Sequence, residues 1–137
     1  MKNILIILFA LLPFFGISQT KEKTETMGTE QDEMEAMGLK QYIFVMYTKG
    51  DNRTHDSATV AKIQTQHVLH LDSLAEIGVL NVAGPFLDEY IWRGILIFDV
   101  KTKEEAESYV KKDPAVISGR LNYVILSWMT KQGISFK

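Results

Sequence analysis

Between Gln41 and Thr130 the hydrophobic pattern passes through six segments in the order strand, helix, strand, strand, helix, strand, and few folds accept that order. Gln41–Lys49 (QYIFVMYTK) is rich in β-formers and stops at the turn signal Gly50-Asp51-Asn52. Ser57 is the expected N-cap of a helix that closes just before Gly78. A short strand, Val79–Pro85, should stop at Gly84-Pro85, and Phe86–Tyr90 is a loop. Ile91–Val100 (IWRGILIFDV) is the strongest strand of the chain. Thr102 opens a second helix with Glu105 three residues on, a capping signal. That helix ends at Asp113-Pro114, because the residue before a proline avoids the helical region. Leu121–Thr130 is the last strand. The expected fold is therefore α+β: the ferredoxin-like βαββαβ arrangement, a four-stranded antiparallel sheet with both helices on one face.

A sheet covered on one face should alternate apolar and polar residues. These strands do not. Ile95 and Ile97 stand opposite Leu96, Phe98 and Val100; Phe44 and Met46 stand opposite Ile43 and Val45. Tyr123 and Ile125 stand opposite Val124, Leu126 and Trp128. A second apolar face of that extent is an association surface, and a two-fold homodimer with its sheets face to face is the simplest closure.

The ends of the chain read differently from its middle. Residues 1–18 (MKNILIILFALLPFFGIS) carry a lysine near the start, an apolar run from Ile4 to Phe15 and small residues at Gly16 and Ser18. The run is short for a membrane span and suits a signal peptide cleaved after Ser18, with an uncleaved anchor as the alternative. Residues 19–39 lack aromatic and β-branched aliphatic side chains and are rich in Glu, Thr and Lys, the composition of a disordered linker. The folded domain is expected over residues 40–137. A bacterial, exported and periplasmic location follows, with no membrane contact after cleavage. The absence of cysteine removes disulfides, thiol nucleophiles and thiolate metal sites. A net charge of -2 offers no basic patch for nucleic acid. There is neither a glycine-rich phosphate loop nor a serine nucleophile elbow, and no cofactor is expected.

The first helix poses the functional question. With Val60 as zero on the helical wheel, His67 falls at about -20°, within the apolar arc of Leu71, Leu74 and Ile63, while His70 sits near its edge at about -80°. An imidazole directed into a core needs hydrogen-bond partners. His67 is then either a satisfied core histidine or a general acid or base at the edge of a cavity. His67 and His70 are spaced to share a metal, but no third ligand is evident and His55 is a weak candidate, so no metal is expected.

The run H-x10-G-V-L-x-x-A-G-P from His67 to Pro85, followed by D-P-x-V-x-x-G from Asp113 to Gly119, resembles the YCII-related family of small bacterial proteins, over Tyr42 to Trp128. The resemblance implies a ferredoxin-like fold within the dimeric α+β barrel superfamily and a site built on one histidine and one aspartate. By position these are His67 and Asp113; for Asp113 a plain helix-ending turn is the alternative. Gly84 and Pro85 would form the pocket rim, with Asp88 nearby as a further substrate-binding candidate or a solvated loop acid. Arg93, unusual in an apolar strand, either binds a substrate carboxylate or pairs with an acid across the dimer. The implied activity is a cofactor-independent lyase or isomerase on a small organic acid. A non-catalytic periplasmic binding or structural dimer is the alternative, and haem binding a minor third.

Overall fold

The computed structural model describes residues 32–134; the expected signal peptide, and residues 19–31 of the expected linker, lie outside the described residues. Four strands form one antiparallel sheet: β1 (Leu39–Lys49), β2 (Leu80–Pro85), β3 (Trp92–Phe98) and β4 (Leu121–Lys131), in the spatial order β2-β3-β1-β4. Three helices lie between β1 and β4: α1 (Ser57–Glu76), α2 (Lys103–Val110) and a four-residue α3 (Pro114–Ile117). The ferredoxin-like expectation is borne out. Leu74 of α1 and Ala106 and Val110 of α2 share one core with Ile43, Val45 and Tyr47 of β1 and Leu96 and Phe98 of β3. Both helices therefore cover the same sheet face.

Several element ends differ from expectation, each for a local reason. Asp56, not Ser57, caps α1: its carboxylate accepts from the Thr59 amide at 2.9 Å, and Ser57 is the first helical residue. Gly78 follows the helix with φ +78°, a conformation other residues adopt at a cost. β2 ends at Pro85, as expected, and Gly84 and Pro85 are its last paired residues, opposite Ile95 and Gly94. An edge strand tolerates proline because one side of its backbone needs no partner. α3 had no counterpart in the sequence reading: Asp113-Pro114 ends one helix and begins another, with Asp113 as N-cap and Pro114 in the first turn.

The face away from the helices remains apolar. Val124, Leu126 and Trp128 are 49%, 52% and 40% exposed in the single chain, as their positions opposite the core residues Tyr123 and Ile125 require.

Candidate active site

Asp113 is the only buried charged residue among those described, with 0% of its surface exposed. A buried carboxylate needs several donors, and three converge on it. The Tyr47 hydroxyl donates to Oδ2 at 2.7 Å, His67 Nδ1–H donates to the same oxygen at 2.7 Å, and the Ala115 amide donates to Oδ1 at 2.8 Å. Burial pushes the carboxyl up, but the bonds from His67 and Tyr47, the charge interaction with His67 and the Ala115 amide outweigh it and hold Asp113 below the usual carboxylate range. Burial, then the Asp113 charge, pushes the Tyr47 phenol far above its ordinary value, so it acts as a donor.

Three elements bring these groups together. The inward alternation of β1 (Ile43, Val45, Tyr47) carries the tyrosine into the core, where it is 3% exposed. The apolar arc of α1 carries His67, whose ring meets the edge of the Tyr47 ring with centroids 5.8 Å apart. α3 packs against α1 and holds Asp113 at its N-cap. With Nδ1–H committed to Asp113, Nε2 is the ring nitrogen left to accept a proton or a ligand hydrogen bond. His70 has a different role: its Nε2–H donates to the Tyr109 carbonyl at 3.1 Å, joining α1 to α2. Among the described residues no group of three or more His, Cys, Asp or Glu is placed to hold a metal ion.

His67 and Tyr47 line a cavity of about 550 Å³, in the size range of small-molecule sites. Gly84, Pro85 and Arg93 line it too. Asp88 does not; it lies exposed in the connection between β2 and β3. Arg93 reaches the cavity by a register break. Tyr47 pairs with Gly94 but Thr48 pairs with Trp92, so Arg93 is an extra residue bulged out of the β1–β3 ladder. Strict alternation would have grouped it with Ile95 and Ile97 on the open face. Its Nε is buried without a hydrogen-bond partner among the described residues.

The YCII-related domain model matches residues 41–129. The chain belongs to the YCII-related family. Among solved structures, this YCII-related chain is similar to muconolactone isomerase at 12% identity, with TM-score 0.53 over 70% of this chain and 95% of that one. It is also similar to 5-chloro-2-hydroxyhydroquinone dehydrochlorinase from Burkholderia phenoliruptrix in complex with 2,5-dihydroxybenzoquinone, at 21% identity and TM-score 0.48, over 63% and 92% of the two chains. At 12% identity the likeness to muconolactone isomerase speaks for the fold alone. No curated protein matches.

Of the residues the sequence singled out, the YCII-related fold joins His67 to Asp113 and places Gly84, Pro85 and Arg93 on the same cavity wall system. The sequence reading did not single out Tyr47, Arg53 or Arg120 as site residues, and all three line the cavity. Tyr47 had a signal, since a hydroxyl on the inward face of a strand needs an acceptor. The two arginines had none, because both belong to loops whose meeting is a tertiary event.

Proposed function

We propose that this YCII-related protein is a cofactor-independent lyase or isomerase acting on a small organic acid. His67 is its general base and acid, and Asp113 is the positioning residue that fixes the His67 tautomer. The observation that carries the reading is the 2.7 Å contact between His67 Nδ1 and the fully buried Asp113 at the wall of a cavity of about 550 Å³. A carboxylate behind Nδ1 stabilises the imidazolium formed when Nε2 takes a proton. Arg93, in a bulge on the same cavity and with its Nε buried without a partner among the described residues, holds the substrate carboxylate by a two-bond fork. Isomerisation of a small molecule has a precedent on this fold in muconolactone isomerase, but a fold hosts many activities, so the proposal stands on the site.

The protein works as a homodimer joined through the open sheet face and, on the reading of residues 1–18, outside the cytoplasm. Proton abstraction can be tested without the natural substrate. A panel of small carboxylic acids incubated in D2O should show deuterium entering a carbon-bound position of one member, followed by NMR. His67→Ala should slow that exchange by about 10²–10⁴-fold. Equal exchange by the variant removes the catalytic role. Ligand binding to the cavity with no exchange by either protein leaves the non-catalytic binding dimer as the function.

A further inference from the structure

Arg53, Arg93 and Arg120 line the one cavity that also holds His67, and none of the three forms an ion pair among the described residues. We propose that this cavity takes a small dicarboxylate, one acid group held by Arg93 and the second by Arg53 together with Arg120.

The two cationic walls have different origins. Arg93 stands in the β3 bulge. Arg53 and Arg120 are brought together by a zip of hydrogen bonds between the loop after β1 and the turn after α3. The Gly50 amide donates to the Arg120 carbonyl at 2.9 Å and the Asn52 amide to the Gly119 carbonyl at 3.0 Å. Asn52 Nδ2 donates to the Ser118 carbonyl at 3.0 Å, and Arg53 Nη2 to the Arg120 carbonyl at 3.0 Å. The backbones approach so closely that a Cβ on Gly50 would stand 2.2 Å from the Gly119 oxygen. The placement is thus built by the backbone.

Among the described residues no acid neutralises the cluster. Asp113 spends its oxygens on Tyr47, His67 and Ala115, and Asp72, which also lines the cavity, pairs with none of the arginines. Burial and then the charges of Arg120 and Arg93 push the Arg53 guanidinium down, against only Asp51 raising it. Like charges held together in this way repel, and a ligand with two anionic groups relieves that repulsion. Guanidinium forks suit planar carboxylates, and a single carboxylate on Arg93 would leave the second wall uncompensated.

This inference rests on the cavity being the substrate site and deepens that reading. The test uses the full-length protein titrated with succinate, propionate and inorganic phosphate, followed by NMR signals of His67 and the arginine side chains. Succinate should bind at least about tenfold more tightly than propionate, the worth of one further charge-assisted bond. The double variant Arg53→Gln, Arg120→Gln should abolish that preference and leave propionate binding intact, whereas Arg93→Gln should weaken both. Neither of the first two side chains is in the core, and unchanged spectra of β1 and β3 would show that the fold persists. Equal binding of succinate and propionate at His67 overturns the dicarboxylate assignment and leaves the acid-base site standing. Phosphate binding tighter than either, lost equally in all variants, overturns it in favour of a single-anion site. No perturbation of the cavity by any of the three overturns both this inference and the reading of the cavity as the substrate site.

Discussion

Asp113 makes three accepting contacts and no donating one, and only a carboxylate can do that. An asparagine offers one oxygen and an amide that cannot accept, so Asp113→Asn leaves either the Ala115 amide or the Tyr47 and His67 donors without a partner. The expected loss is about 1–3 kcal/mol of stability, the cost of an unsatisfied buried polar group, read by chemical denaturation. The pH dependence has a definite sign. Because the folded carboxyl titrates below its ordinary value of 3.8, its contribution is complete above that value and is lost as pH falls through the lower folded one. The gap between wild type and variant should therefore close below about pH 4. A gap that stays constant to pH 2 would show that folding does not lower the Asp113 carboxyl below its ordinary value. In the sequence this residue was visible by its motif, but its second environment, the hydroxyl of Tyr47, was not, since 66 positions separate the two.

At the scale of elements, the site depends on two departures from regularity. One is the bulge that turns Arg93 out of the strand alternation; the other is the contact between Gly50 and the Gly119–Arg120 peptide. Gly50→Ala forces a Cβ to within 2.6 Å of the Arg120 carbonyl carbon as well, and both obstacles are backbone, so the two loops must separate. We expect about 1–3 kcal/mol of destabilisation, typical of overpacking, together with loss of the succinate preference. Unchanged melting and unchanged succinate binding would mean that the loops move apart freely and that the zip does not build the anion site. Periodicity located β1, β2, β3, β4, α1 and α2 to within a few residues, because period-two and 3.6-residue patterns survive any tertiary arrangement. It could not locate α3, four residues whose start depends on Asp113 capping the Ala115 amide.

On the scale of the molecule, the uncovered sheet face carries the quaternary prediction. Light scattering at micromolar concentration should give twice the chain mass, and Leu126→Asp should give a monomer that keeps its fold, because that side chain is 52% exposed in the single chain. A desolvated pair of like charges across a two-fold interface is strongly unfavourable, while on an exposed face it is harmless. A wild-type monomer would leave the apolar face without the occupant proposed for it.

Strand order, helix faces and the two-sided apolar pattern were legible in the chain alone, because each is set by local period and by which residues avoid water. The pairing of His67 with Asp113 was legible as a resemblance. Tertiary structure decided the rest: that Tyr47 completes the pair, that Arg93 faces the cavity instead of the open sheet, and that Arg53 meets Arg120 beside it. Each depends on a bulge, a cap or a close backbone approach between segments distant in sequence, where no local preference distinguishes one outcome from another.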